Sequence, residues 1–180
     1  SRLVHEFRRS AVFLENKSLW AVCQADQILR HSFNPLRYWL LHYFDILPTE
    51  EDATRLYKFS TKWDELIAQT DEPTLAGELK RTYSCVAALV DLEWSDSLYA
   101  QLDAQGRYDN TIIGLISLVK AESLRQPLIL FIEDGQNLDE DSKVFVARLK
   151  RALIAEAVSY PIAIIFSARW QATKILAEEG

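Results

Sequence analysis

An α/β fold built on a parallel sheet covered on both faces is what this sequence predicts, and three observations predict it. Two short runs, LILFI at 128–132 and IAIIF within PIAIIFS at 161–167, are wholly apolar and rich in β-branched residues, as strands buried on both sides must be. A third stretch, LWAVCQA at 19–25, is short and apolar with polar residues on both sides. Helical periodicity fills the intervals, so the order is helix, strand, helices, strand, helix, strand.

From Arg2 to Leu14, Leu3, Val4, Phe7, Ala11 and Leu14 recur at three- and four-residue steps, one helical face with Arg8 and Arg9 on the other. After the first strand, Asn34-Pro35 reads as a helix start, since Asn can cap and Pro is tolerated in the first turn. The following LRYWLLHYFDI carries Tyr38, Trp39, Tyr43 and Phe44, a thick apolar face read as core. From Pro48 to Arg107 no strand pattern occurs. Thr49 with Asp52, the segment Ala53 to Gln69, and Pro73-Thr74 leading into LAGELKRTYSCVAALVDL are helix signals, so 48–107 is read as a helical insertion within one domain spanning 1–180. Asp109 or Asn110 is expected to cap TIIGLISLVKAESL, which ends before Gln126-Pro127. Asp139, followed by Glu140 and Asp141, is expected to cap a helix running to about Val158.

At 180 residues and 49% apolar content the chain can bury one sizeable core, while two full domains would be cramped. Twenty basic against twenty-six acidic residues, with no basic block beyond pairs such as Lys150-Arg151, disfavour nucleic acid as a partner of this domain. No apolar run is long enough to span a bilayer, and a cytoplasmic location with no membrane contact is expected. Cys23 and Cys85 sit in apolar or helical patterns and read as small buried side chains. His5, His31 and His42 share no metal-like spacing.

The chemistry concentrates where the strands end. Ligands of open parallel sheets bind outside the carboxyl ends of the strands, where Glu133 and Asp134 follow one strand and Ser167 and Arg169 end or follow the other. Two acids at one tip and a guanidinium beyond another suit a magnesium ion and the phosphate it carries, because Mg²⁺ takes few protein carboxylates and Arg matches phosphate oxygens in a bidentate way.

An apolar strand ending in two acids resembles the Walker B motif of P-loop nucleoside triphosphatases, and ILFIEDGQNLDEDS is similar to its form in the STAND signal-transduction ATPases of the AAA+ group. FNPLRYWLLHYF resembles the segment after their second strand, IIFSAR their sensor strand, and SRLVHEF the helix that follows their phosphate-binding loop. The resemblance implies a three-layer P-loop-type sheet with ATP and Mg²⁺ as cofactors. It implies that the chain starts just after the Walker A lysine and lacks its first, central strand. Position by position, Ser1 would be the magnesium-binding Ser. Glu133 would order magnesium through water, standing where Asp is usual. Asp134 would polarise the attacking water as a general base, and Arg169 would contact the γ-phosphate with Ser167 near it. Gly135 would make the tip mobile. The implied function is a slow ATP-driven conformational switch working on protein partners or its own flanking domains.

Other readings stand beside it. Glu133-Asp134 can be a solvated strand end before a Gly turn. The helical block, with Trp63 and Trp94, can be a non-catalytic interaction module carrying a vestigial nucleotide site. A DNA-reading regulator fits poorly with the acid excess.

Overall fold

The computed structural model describes residues 4, 6, 18–27, 31–155 and 158–169. Apart from Val4 and Glu6, which are helical, the expected opening helix from Arg2 to Leu14, and Ser1 with it, lies outside the described residues. Three strands, β1 (Leu19–Gln24), β2 (Leu128–Glu133) and β3 (Ile162–Phe166), form one parallel sheet in the order β1-β2-β3. Leu19 stands opposite Leu128 and Gln24 opposite Glu133, while Leu128 stands opposite Ile162 and Ile132 opposite Phe166. The fold is therefore α/β, with all three carboxyl ends on one edge. No helix among the described residues is long and apolar enough to cross a membrane.

β2 is buried along five of its six residues, Leu128 to Ile132. Strand side chains alternate, so Leu128, Leu130 and Ile132 share a face with Ala21, Cys23 and Ile164, and this face joins the main core. The opposite face carries Trp20, Val22, Ile129, Phe131 and Ile165. Ile129 and Phe131 on it are buried outside that core, with Trp20 edge-on to Phe131 at 6.4 Å. Cys23 is sealed inside, and burial pushes its thiol far above the usual range, which removes it as a nucleophile.

Six helices are described: α1 (Asn34–Tyr43), α2 (Asp52–Ala68), α3 (Pro73–Ala88), α4 (Leu98–Gln101), α5 (Ala104–Arg125) and α6 (Glu140–Ala155). One cap and two starts differ from expectation, while α1 does begin at Asn34. Asn34 does not cap α1; the cap position is Phe33 in the left-handed region (φ 57°), and its N–H is taken by Asp139 from across the molecule. Pro35 does sit in the first turn. α2 begins after Glu51 rather than at Thr49. α5 begins at Ala104, capped by Asp103, whose carboxylate accepts the Gly106 N–H at 2.7 Å. Asp109, expected as that cap, lies inside the helix, where Gln105 and Arg148 hold its carboxyl below the usual range. The helix extends upstream of its apolar run because Arg107 ties it to α4. The Arg107 guanidinium donates to the carbonyls of Tyr99 and Leu102 and covers the Tyr99 ring at 4.7 Å.

Between α1, α2 and α3 lies an aromatic core. Phe44 contacts Phe59 at 4.3 Å, Phe59 stacks on Trp63 at 5.4 Å, and the Trp63 indole N–H donates to the Leu79 carbonyl at 3.1 Å. Trp39, Tyr43 and Phe44 are buried as expected, while Tyr38 is 38% exposed. Each such aromatic pair adds roughly 1 kcal/mol beyond its area burial. α3 and α5 pack so closely that a Cβ on Gly114 would come within 2.5 Å of Val86 Cγ2 and 2.9 Å of Thr82 Oγ1.

Among the described residues, the buried Glu122 and Arg55 are each in an ion pair. Glu122, 1% exposed on α5, accepts from the Tyr43 hydroxyl and from Arg125 at 2.8 Å, which joins α1 to α5. Arg37 donates to Leu89 O at 2.5 Å and pairs with Asp91, and Arg55 donates to Val90 O, so two guanidinium groups meet the negative end of α3.

Two substitutions test this packing. Gly114→Ala should destabilise the protein by about 1–3 kcal/mol in urea unfolding, although helix propensity alone favours Ala by about 1 kcal/mol; a stabilised variant would show that α3 and α5 do not approach this closely. Tyr43→Phe leaves a Glu122 lone pair without its hydroxyl donor and should cost about 1–3 kcal/mol.

Candidate functional site

The parallel register brings Glu133, Asp134, Ser167 and Arg169 to one edge of the sheet. Glu133 is the last residue of β2, and its carbonyl accepts the Ala25 N–H at 3.1 Å, so the turn after β1 is fastened to the same tip. Asp134 follows in the left-handed region, φ 52° and ψ 43°. Asp tolerates that conformation better than most residues, yet it carries strain of order 1 kcal/mol that neighbouring contacts must hold.

Those contacts come from β3. The Ser167 N–H donates to Ile132 O at 2.9 Å, the Gly135 N–H donates to Ser167 O at 2.8 Å, and the Asp134 N–H reaches the Ser167 hydroxyl oxygen at 3.3 Å. Gly135, expected to loosen the tip, does the opposite. It is buried, opens a 3₁₀ turn (Gly135–Asn137) and has no positive φ. A Cβ there would stand 3.3 Å from the Phe166 ring and 3.5 Å from Ser167 O, so glycine serves close approach rather than mobility.

Gln136 was not singled out from the sequence, and it is the side chain that spans the site. Its amide nitrogen donates to Asp134 Oδ1 at 3.2 Å, and its amide oxygen accepts the Arg169 N–H at 3.2 Å. The only signal for it was its place two residues beyond the second acid. Arg169 itself is exposed, three residues beyond the end of β3.

Below this edge, Asp139 caps α6 as expected, accepting the Ser142 N–H at 2.9 Å and the Ser142 hydroxyl at 2.7 Å. The same carboxylate takes the Phe33 N–H at 3.1 Å, and Ser32 donates to Asp141 at 2.5 Å. Tyr108, unassigned from sequence, packs its ring on Phe33 at 5.7 Å, and burial together with the nearby Asp141 raises its phenol above the usual range. The loops after β1 and β2 are thus one hydrogen-bonded unit beside the acids.

Chemically, the edge offers two carboxylates, one hydroxyl and one guanidinium. Ser1 lies outside the described residues, so its place relative to Glu133 is not part of this geometry. Among the described residues no group of three or more His, Cys, Asp and Glu is arranged to hold a metal ion by itself. A cavity of about 560 Å³ lies elsewhere, between α3 and α5 and beside Tyr160, which leads into β3. Comparison with family models, with curated proteins and with solved structures finds no match to this chain.

The backbone of the acidic turn is open to test. With the carboxylate gone in both variants, Asp134→Ala should be less stable than Asp134→Gly by about 1 kcal/mol, because only glycine occupies the left-handed region without penalty. The reverse order in urea unfolding would contradict the turn. Asp139→Ala should cost about 1–2 kcal/mol through loss of the cap.

Proposed function

We propose that this chain belongs to the nucleotide-binding unit of a STAND-type AAA+ P-loop ATPase and acts as a regulatory switch on Mg·ATP. The observation that carries this is the adjacency of two strand ends. The acids Glu133 and Asp134 and the segment Ser167–Arg169 lie on neighbouring parallel strands and are joined by hydrogen bonds at one edge. That is where a parallel sheet binds ligands, and it is the pairing of an acidic strand with a sensor strand that the sequence motifs imply.

The donor set fits the cofactor. Mg²⁺ in nucleotide sites is held by one or two carboxylates together with phosphate oxygens and water, so a protein cluster of three ligands is not required. In this reading Glu133, with Ser1, holds the magnesium hydration shell, and Mg·ATP supplies the labile phosphoanhydride bond. Asp134 accepts the proton of a water molecule near its carboxylate, and Gln136 orients that carboxylate. Arg169 pairs with terminal phosphate oxygens, and Ser167 fixes the backbone between them.

A second feature agrees. β3 is the outer strand among the described residues, and its apolar side chains Ile162, Ile164 and Ile165 are only half-buried while Phe166 is 41% exposed. Apolar parallel strands are normally covered and paired on both sides. The reading assigns that side to the strand that carries the phosphate-binding loop, and it requires a Gly-rich loop ending in Lys encoded directly ahead of Ser1.

The competing reading, a non-catalytic interaction module, rests on the outer surface of the helical block. There Leu47, Leu56 and Tyr57 are 54, 38 and 70% exposed. Its original anchors are weaker: Trp63 is fully buried and Trp94 packs on Tyr83 at 5.5 Å.

Calorimetry with Mg·ATP decides between them when this chain is compared with one extended through the upstream coding sequence. Binding by the extended chain supports the ATPase reading, and its absence from both leaves the interaction module. In the binding-competent chain, Asp134→Asn should lower turnover by about a hundredfold or more, and unchanged turnover would remove Asp134 from the chemistry.

A further inference from the structure

We propose that the half-buried rings of Tyr83 and Trp94, with Leu56 and Tyr57 beside them, dock a basic amphipathic helix of a partner protein. The inference is independent of the nucleotide reading, and it gives the competing interaction module a definite surface and a partner of stated chemistry.

α2 turns Arg55, Phe59, Trp63 and Leu66 inward. Leu56, Ser60 and Asp64 follow one another at four-residue steps and so lie on a second row of the same helix. That row borders Tyr83 of α3: burial, and next the Asp64 carboxylate, raise the Tyr83 phenol above its usual range, and Ser60 is its hydrogen-bond partner. Trp94, in the loop after α3, packs its ring on Tyr83 at 5.5 Å and continues the aromatic surface. Neither ring is sealed, while Leu56 and Tyr57 are exposed. Single exposed apolar residues are ordinary, but one aliphatic and three aromatic side chains in series make an apolar step that marks a contact surface.

The charge around this step decides the partner. From Asp45 to Asp96 the chain carries twelve acidic and five basic residues, while the remainder holds fourteen and fifteen, so the net charge of -6 belongs to this block. Asp64, Glu93 and Asp96 are exposed at the step, and among the described residues none of the three is in an ion pair. Asp52 is committed to Arg55 and Asp91 to Arg37. Lys80, three residues before Tyr83 on α3, is an exposed cation on the same side, and the acids outnumber it. Such a rim repels polyanions, which removes nucleic acid and anionic lipid surfaces as occupants. A guanidinium suits it, because its plane stacks on a Trp or Tyr ring while its N–H groups reach a carboxylate in pairs. An arginine of the partner helix would sit over Trp94 beside Glu93 and Asp96, and leucines on the same helix would cover Leu56 and Tyr57.

The test uses the 180-residue chain and a synthetic helical peptide with Leu on one face and Arg on the other. At about 0.15 M salt, where distant surface charges are largely screened, the peptide should bind saturably and shift the Trp94 indole N–H resonance. Glu93→Gln with Asp96→Asn should weaken binding by about tenfold, and so should Leu56→Ser with Tyr57→Ser. All four side chains are exposed, so the fold should survive, and an unchanged urea midpoint checks this. Asp71→Asn with Glu140→Gln removes the same charge from exposed positions beyond the end of α2 and on α6, and should change affinity by less than about twofold.

Equal weakening by the two charge-removing pairs would reduce the contact to general attraction between a basic peptide and an acidic chain, and would overturn the docking site. Absence of peptide binding overturns it as well. Self-association in sedimentation that Glu93→Gln with Asp96→Asn abolishes would seat a second copy on the step and overturn the foreign partner. Mg·ATP calorimetry on the extended chain reads the strand tips instead, so the two readings fail separately. Peptide binding without Mg·ATP binding removes the nucleotide reading alone, and Mg·ATP binding without peptide binding removes the docking site alone.

Discussion

The complete burial of β2 is the constraint on which the rest of this structure depends. Five consecutive apolar side chains, Leu128 to Ile132, are out of water, so the strand must be flanked by a neighbour on each side and covered above and below. A one-residue slip would exchange its two faces, and the side chains of β1 and β3 are matched to the observed register. Once that register is set, Glu133 has no place but the sheet edge, and the first two polar residues after the apolar run stand beside the end of β3.

Around this strand the helices are positioned by side chains acting at their ends. Asp139 caps α6 and reaches back to the start of α1, while Arg37 and Arg55 from α1 and α2 meet the carbonyl end of α3. Glu122, buried on α5, draws in Tyr43 from α1. The helical block is consequently part of the same packed unit as the sheet, joined by a core in which Phe59 stacks on Trp63 and Phe44 packs tilted against both.

The strands, the first acids and the cap of α6 were legible because each depends on local chemistry. LILFI and IAIIF are too apolar to be anything but buried, and Asp139 has its capped N–H three residues on. The start of α5 was misplaced because the apolar run begins at Thr111, whereas the helix is continued upstream by Asp103 and by Arg107 folding onto α4. In isolation glycine is permissive and Gly135 reads as a source of mobility; here it is held by Phe166 and Ser167, about thirty residues away in the chain.

By itself the sequence determined the α/β class, the three apolar strands and the gathering of Glu133, Asp134, Ser167 and Arg169 near strand ends, because hydrophobic periodicity and strand length are short-range properties. Only the tertiary structure decided that β2 lies between β1 and β3, that Asp134 takes the left-handed conformation, and that Gln136 bridges the acid to Arg169. Each of these depends on hydrogen bonds between residues far apart in sequence, whose partners are fixed only when the sheet register is formed.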